Sequence, residues 1–413
     1  MNDGSSQRKH RIVIAGDDLP FASKEGATMT QTFVRYSPAV EQKEPDFDRT
    51  LQQVLDDMKQ HMRGSLKTEG IGLVVRNAHA KGYGLARGEF EILSGMPGEY
   101  AQGIYAKPGR HEAMVRFSNG TNHVGGDRFL GPITGIGLKI FGIDGKTLLE
   151  DEPDSHTFDY ALINNPVFFV NTLAHYVFIQ SLFADLGLPP PANLTPEERQ
   201  AALHRVLYNF VTGKGTLPPE QWAWEELGAF LQLAQTKPEN LLLSTYWTMG
   251  AVRHGDYVAK VRVAPVQSFA GRVEQRALDL TSAEQVFRPA LVAELRKRPY
   301  EFDVQVQLCT DLAQMPVEKT TVRWPESLSP YVTVAKLRLP QQDIGGEDNF
   351  EKMDKTSMTA WRVTEPHRPL GNIMRSRKEV YRQSSILRHQ TNKQERKEPR
   401  NLAEVFAEQM VNR

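Results

Sequence analysis

Arg377 and Tyr381 lie four residues apart in the segment GNIMRSRKEVYRQSSILRH, and their types suit metal chemistry. On a helix, residues at this spacing share one face, so the guanidinium stands beside the phenol. A tyrosine ordinarily has a pKa of about 10, and a fixed cation next to it favours the phenolate, which can bind ferric iron. The same spacing also fits an amphipathic helix with a half-buried tyrosine and a solvated arginine. The pair alone leaves both interpretations open.

The helix that would carry this pair has a start signal and a regular pattern. Asn372, directly after Gly371, can serve as its N-cap. The residues that recur at helical spacing after it are Ile373, Arg377, Val380, Tyr381, Ser384 and Leu387.

A second candidate is His79 in VVRNAHAKGYG, where an apolar run is followed by one imidazole and then by glycines. Imidazole can be neutral or charged near neutral pH, so it suits acid–base catalysis. A histidine after a β-type run can also be a structural residue at the edge of a core. This segment alone does not separate the two interpretations.

Five segments, taken in chain order, resemble the haem catalases. They are VVRNAHAKG around His79, MVRFSNG around Ser118, INNPVFF from Ile163, YWTM followed by RHGDY from Tyr246, and RSRKEVY ending at Tyr381. The segments span roughly residues 70 to 390, and their shared order is more specific than any one motif. The chain is similar to compact, bacterial-type catalase-related proteins.

The resemblance implies a haem b cofactor and assigns residues to it. Tyr381 would be the axial ligand of the iron and hence the metal-binding residue, as tyrosine is in catalases. Arg377 would keep its phenol ionised. Arg76 and Arg116 would pair with the haem propionates through charge-assisted hydrogen bonds, and Phe169 would pack against the porphyrin.

The resemblance also implies a catalytic group on the distal side of the haem. His79 would take a proton from the peroxide oxygen that binds iron and return it to the leaving oxygen. Asn164 would hold the peroxide by a hydrogen bond, and Ser118 would fix the imidazole tautomer. The implied activity is reduction of hydrogen peroxide or organic hydroperoxides through a ferryl intermediate, with an external small-molecule reductant.

Three departures from the full-size catalases are visible. Ala78 stands where they have valine, Asn165 runs directly into Pro166 without the intervening threonine, and Gln383 replaces an aspartate. The first two predict a more open pocket that admits organic hydroperoxides and dismutes hydrogen peroxide slowly. Two alternatives stay open: an allene-oxide-synthase-like enzyme that rearranges or cleaves fatty-acid hydroperoxides, and a non-enzymatic barrel that binds haem or a lipid.

Composition limits the remaining function classes. Fifty basic and fifty acidic residues among 413 leave no net charge, so no broad footprint for nucleic acid is indicated. The single cysteine, Cys309, excludes an intramolecular disulfide framework and fits a reducing compartment. No apolar run reaches membrane-spanning length. We therefore expect a cytoplasmic protein with no nucleic-acid partner and no membrane span. The peroxide substrate and the small reductant are what the resemblance implies, and a homo-oligomer is compatible with these features.

The elements that must position these residues predict an α+β fold. The spacing of the strands suggests an antiparallel β-barrel, although the pattern alone would support other α+β folds. The resemblance implies a barrel of the catalase type, with a helical insertion at about residues 167–236 and a C-terminal haem-proximal helix. The predicted strands include Ile71–Val75, Phe90–Leu93, Ala113–Phe117, Gly137–Phe141, Tyr257–Val263, Phe302–Cys309 and Val332–Leu339, and glycine-rich turns are predicted between the strands from about residue 70 to 165. The predicted helices include Phe47–Met62, Val167–Leu186, Pro196–Val211, Pro219–Gln235 and Leu402–Met410.

These elements divide the chain into four predicted parts. Residues 1–45 form an N-terminal arm, and 46–345 form the barrel with its helical insertion. Residues 346–391 form a wrapping segment and the proximal helix. Residues 392–413 form a tail whose charged side chains, Arg396 among them, are expected to be solvated.

Overall fold

Antiparallel pairing runs through the whole β-structure of this chain. The computed structural model describes residues 32–64, 72–186 and 195–406. Its strands are β1 Gly82–Ile92, β2 Gly109–Asn119, β3 Thr134–Phe141, β4 Thr157–Ile163, β5 Tyr246–Trp247, β6 Val252–His254, β7 Tyr257–Pro265, β8 Tyr300–Leu308 and β9 Val332–Leu339. The sheet order is β5-β4-β3-β2-β1-β9-β8-β7-β6, and β5 also pairs with β7. That pairing closes eight strands into a barrel, as the sequence predicted.

Helices surround the barrel. They are α1 Phe47–Gly64, α2 Asp127–Leu130, α3 Leu173–Leu186, α4 Pro196–Thr212, α5 Trp224–Ala234, α6 Gln267–Ala270, α7 Phe287–Lys297, α8 Glu347–Lys355, α9 Asn372–Thr391 and α10 Leu402–Phe406. Within the described part of the chain, none of these helices has both the length and the apolar character needed to cross a membrane.

The helical insertion lies between β4 and β5 and consists of α3, α4 and α5. Helix α4 begins at a capping box in which Thr195 and Glu198 each bond the other's backbone N–H. Helix α3 begins six residues later than predicted. The backbone before it is bonded elsewhere: Val167 N–H donates to the Asn165 side chain and Phe168 N–H donates to the Thr320 carbonyl.

The predicted strand Ile71–Val75 is wrong for the residues that the structure describes, since residues 72–75 form no strand. Strand β1 instead begins at Gly82, in the glycine-rich stretch that the sequence suggested was a turn. Glycine is needed there for close packing, because a Cβ at Gly84 would lie 2.5 Å from Ile344 Cδ1. The strand therefore uses glycine to admit a neighbouring side chain.

Strands β2, β3 and β4 present two different faces, because successive side chains on a strand alternate. Val115, Leu138 and Tyr160 are cross-strand neighbours and belong to the main hydrophobic core inside the barrel. Arg116 and Gly137 are paired on the opposite, outer face. Helix α9 lies opposite this outer face, and the C-terminal segment reaches it through Glu398.

A buried ion network lies on this outer face. Lys139 on β3 and Asp159 on β4 face each other, with 2.7 Å between Nζ and Oδ1. Arg362 also binds Asp159, and both cations contact Glu398 of the C-terminal tail. Arg396 of the same tail pairs with acidic residues that precede β4. The expectation that the charge of Arg396 is solvated is therefore wrong, because the tail crosses the barrel and supplies ions to it.

Replacing Asp159 by alanine tests this network. We expect Asp159→Ala to lower the free energy of unfolding by about 3–5 kcal/mol, because Lys139 and Arg362 stay buried without their shared carboxylate. Urea unfolding followed by circular dichroism measures the change. Lys355→Ala is the matched control, since the exposed Lys355–Glu351 pair is worth less than about 1 kcal/mol. Equal effects of the two substitutions would show that the network does not stabilise the fold.

Candidate functional site

One cavity lies between the outer face of β2–β4 and helix α9. Its outline encloses about 710 Å³ of space free of protein atoms, part of which is open solvent. Six stretches of chain line it: residues 76–79, the three strands β2, β3 and β4, residues 356–358 and α9. Its polar lining residues are Arg76, Asn77, His79, Arg116, Ser118, Thr356, Ser357, Tyr381, Ser384, Ser385 and Arg388.

Helix α9 brings Arg377 and Tyr381 together as the four-residue spacing predicted. Arg377 Nη2 donates a hydrogen bond of 2.7 Å to Tyr381 Oη, and its guanidinium carbon lies 4.9 Å from the centre of the tyrosine ring. Arg377 is buried, and the same nitrogen also reaches the Ala161 carbonyl at 3.4 Å. The cation is thus fixed from two sides beside the phenol oxygen.

The start of α9 differs from the expectation. Gly371, with φ of +87°, occupies the N-cap position and Asn372 is the first helical residue. The Asn372 amide is used instead to bind the preceding chain: it accepts from Glu44 N–H and donates to the Gln42 carbonyl and to Glu318. These bonds attach the segment before α1 to the helix that carries the tyrosine.

A second phenol, Tyr176 of α3, lies close to this pair and was not found from the sequence. Burial raises its pKa to about 12, the nearby Tyr381 adds to the rise, and Arg377 opposes it. Tyr176 therefore stays protonated at neutral pH. Among the described residues that line the cavity, Tyr381 is present and Tyr176 is not.

His79 lies in a turn before β1 with φ of +57°, a conformation that histidine adopts more readily than most residues. Its carbonyl accepts a 2.9 Å hydrogen bond from Arg116 Nη2, which holds the turn. Its Nδ1 is 2.6 Å from the Asn119 carbonyl, and since a carbonyl only accepts, Nδ1 carries the proton. The acceptor nitrogen of the neutral ring is then Nε2.

The surroundings of His79 keep its ring neutral. Burial is the largest cause that lowers its pKa to about 4, and the nearby cations Arg116, Arg377 and Arg76 lower it further. The hydrogen bond to Asn119 opposes this shift. At neutral pH the imidazole is thus an uncharged base.

Three residues of the predicted site make contacts other than those expected. Ser118 lines the cavity, but its hydroxyl donates to the Gly135 carbonyl at 3.3 Å, and Asn119 takes the place expected for it beside the imidazole. The Asn164 amide is used by the backbone, accepting from Thr134 N–H at 2.9 Å and donating to the Pro132 carbonyl at 3.0 Å.

Asn164 and Phe169 are also absent from the cavity wall formed by the described residues. Phe169 packs instead among the inserted helices, with its ring 6.0 Å from that of Phe230. The wall does contain one carboxamide side chain, that of Asn77, two residues before His79. The sequence offered no pattern that singled out Asn77.

Three guanidiniums share this cavity. Arg76 Nη2 donates to the Met353 and Thr356 carbonyls at 2.6 Å each. Arg388 Nη1 lies 3.1 Å from Asp354 Oδ1, and Arg76 Nη1 lies 3.8 Å from the same oxygen. Because α9 brings Arg388 two turns beyond Tyr381, its seven-residue spacing could have been recognised in the sequence.

The cavity has an excess of positive charge. Arg76, Arg116 and Arg388 line it, whereas the described lining residues include no carboxylate, and Asp354 lies behind two of the three cations. Burial and mutual repulsion hold the pKa of Arg76 well below its ordinary value and lower that of Arg116 to about 10. Arg116 Nε is buried without a hydrogen-bond partner. The donor set therefore fits a ligand that carries more than one negative charge.

Two glycines on β3 leave room for the cavity wall. A Cβ at Gly135 would lie 2.5 Å from His79 Cε1, and a Cβ at Gly137 would collide with Met358 Sδ. Both positions face outward, on the same side of the sheet as Arg116. Any larger residue would displace the histidine or the methionine.

Comparison with known proteins identifies the fold. No protein-family model and no curated protein sequence matches the chain. A bacterial catalase structure has a TM-score of 0.53 at 16% identity, covering 76% of this chain and 58% of that one. A fungal catalase gives 0.51 at 17% identity, covering 78% of this chain and 60% of that one. Catalase A from Saccharomyces cerevisiae also gives 0.51 at 17% identity, with 78% and 63% covered.

The similarity to these three structures extends over most of this chain, but the chain spans less than two thirds of the length of each catalase. At this level of identity the shared feature is the architecture of barrel and surrounding helices. The closed antiparallel barrel with its inserted helices therefore has the catalase fold.

Proposed function

We propose that this chain binds haem b in the cavity beside α9 and reduces peroxides there. One observation carries the proposal: the Tyr381 phenol, fixed by Arg377, and the neutral His79 ring line a single cavity. Haem supplies the redox chemistry of iron, and the protein supplies the axial ligand, the acid–base group and access.

The residues of the cavity fit this cofactor. Haem b carries two carboxylates, and Arg76, Arg116 and Arg388 would hold them; the free Nε of Arg116 is a donor of the right kind. Tyr381 would ligate the iron. Among the described residues no group of three or more His, Cys, Asp or Glu could hold a metal ion, so iron at Tyr381 would need its other ligands from a macrocycle.

His79 performs the proton transfer in this proposal. Its Nε2 accepts the proton of an incoming hydroperoxide and then delivers it to the leaving oxygen, which departs as water or alcohol. The bond from Nδ1 to the Asn119 carbonyl keeps Nε2 available throughout. The cations around the ring disfavour a lasting imidazolium, so the proton is passed on.

An external reductant completes the cycle. The relative rates of donor oxidation and oxygen release test which reaction dominates. Oxygen release and donor oxidation are measured on one haem-loaded preparation, with hydrogen peroxide and with an organic hydroperoxide. We expect donor oxidation to exceed oxygen release, since the Asn164 amide is bonded to backbone groups and does not line the cavity with His79. Oxygen release far above donor oxidation would instead show a catalase, and loss of a lipid hydroperoxide's conjugated diene without donor would show a rearranging enzyme.

Tyr381→Phe tests the axial ligand. We expect this variant to lose most of its haem, because the phenol oxygen is the iron ligand in the proposal. The ratio of Soret to protein absorbance measures haem content. Tyr176→Phe is the matched control and should keep its haem. Tyr176 is a partly buried phenol near the same arginine, and it is not among the described residues that line the cavity. An unchanged spectrum in Tyr381→Phe would refute the assignment.

His79→Ala tests the acid–base role. We expect the variant to retain haem and to lose roughly a hundredfold to ten-thousandfold in the rate of peroxide-dependent donor oxidation. Stopped-flow spectra and steady-state assays measure the two properties separately. His123→Ala, which removes an imidazole outside the cavity wall, should keep both. Loss of haem in His79→Ala would make the histidine an iron ligand and invert the assignment.

The pH profile gives an independent test of His79. Its pKa is lowered from 6.5 to about 4, so the basic form is present above pH 4 and is lost as the pH falls through that value. Donor oxidation should therefore stay level from pH 8 down to about pH 5 and decline only below it. A decline centred near pH 6.5 would mean that the ring is solvated and that the surrounding cations do not act on it.

A further inference from the structure

Among the described residues that line the cavity, Met358 is the one with a sulfur-containing side chain. It lies on the segment between α8 and α9 and packs over Gly137, whose missing Cβ makes room for the thioether sulfur. Of the described methionines, Met358 and Met96 are half-buried, and the others are buried. Met96 lies outside the cavity wall, in the turn after β1.

We propose that Met358 is a self-oxidation site, at which a peroxide held in the cavity converts the thioether to methionine sulfoxide. This inference rests on the proposed peroxide chemistry of the same cavity. Thioethers are the side chains that peroxides oxidise to sulfoxides without prior ionisation, whereas cysteine reacts as a thiolate. Cys309, the one cysteine, is buried, and burial raises its pKa to about 11.

The reaction is balanced without a further reactant. The Met358 sulfur attacks one oxygen of the hydroperoxide, a sulfur–oxygen bond forms and the oxygen–oxygen bond breaks. Sulfur loses two electrons and the peroxide gains them. The peroxide's proton passes to the second oxygen, which leaves as water or as an alcohol. His79 lines the same cavity and can carry that proton through Nε2.

Position explains why Met358 should react before its neighbours. Met353 and Met374 lie near the cavity but are only 3% and 1% exposed, so a peroxide does not reach them. Met358 forms part of the wall itself. A reactant held against a thioether reacts much faster than the same reactant in bulk solution, because its position and orientation are already fixed.

Oxidation of Met358 would change the cavity. The Met358 sulfur packs so closely on Gly137 that a Cβ on this glycine would collide with it. A sulfoxide oxygen must therefore point into the free space of the cavity or push β3 away from the segment that carries Met358. It also turns an apolar side chain into a polar one. Peroxide turnover should therefore be accompanied by a gradual loss of activity.

The test compares the two half-buried methionines in the full haem-loaded chain. The protein is exposed to a series of hydrogen peroxide concentrations, and peptides containing Met358 and Met96 are analysed by mass spectrometry for an added oxygen atom. We expect Met358 to oxidise at least about tenfold faster than Met96 in the folded protein. In urea the two should oxidise equally, because both are then in the same solvent.

Two variants extend the test. Met358→Leu conserves volume and should keep the fold, since such exchanges usually cost less than about 1.5 kcal/mol. We expect its activity, relative to its own starting rate, to persist longer under peroxide than that of the wild type. Met96→Leu should lose activity at the wild-type rate. If the wild type and Met358→Leu lost activity at the same rate under peroxide, oxidation of Met358 would not be the cause of that loss.

The outcome separates this inference from the proposed function. Oxidation of Met96 at a rate equal to or above that of Met358 overturns the inference, even when the donor is oxidised normally. Preferential oxidation of Met358 supports it. A chain that fails to bind haem or to oxidise any donor refutes the proposed function through a different measurement, the absorption spectrum and the donor assay.

Discussion

The cavity depends on three guanidiniums, and two of them, those of Arg76 and Arg388, share the carboxylate of Asp354. Arg76 and Arg116 donate to backbone carbonyls and Arg388 donates to Asp354, and these bonds hold the guanidiniums without cancelling their charge. Buried charge without a partner is costly, so the fold carries an electrostatic cost that an anionic ligand would relieve. Binding such a ligand would therefore stabilise the folded chain as well as complete the site.

The outer face of β2–β4 explains why the site is placed where it is. Arg116 and Gly137 form one cross-strand row that faces the cavity, and two residues further along the strands Lys139 and Asp159 form the next row on the same face. The second row is closed by ions from the C-terminal tail, whose Arg396 also donates to a serine of α9. The tail thus packs on the same face of the sheet as the cavity. Because residues two apart on a strand share one face, the ion network and the cavity are direct neighbours.

Local rules predicted some of this site, and tertiary contacts decided the rest. The pairing of Tyr381 with its arginine follows from helical spacing, and the same rule reaches Arg388. The barrel was predictable because its strands alternate, although Gly84 lies inside a strand where the sequence suggested a turn. Asn164 was not predictable, because the β3–β4 pairing decides which groups its amide meets. The ion pairs of Arg396 depend on where a distant tail crosses the barrel.

The position of the carboxamide bears on how a peroxide would be held. At the end of β4 the Asn164 amide accepts one hydrogen bond from a backbone group and donates one to another, so freeing it would break both and leave Thr134 N–H without this partner. Asn77 lines the cavity and lies on the same turn as His79. An amide and a base that share one turn move together, and the Arg116 bond to the His79 carbonyl fixes that turn. The segment 76–79 would then set the geometry for proton transfer. The effects of substitutions within this segment should therefore depend on one another.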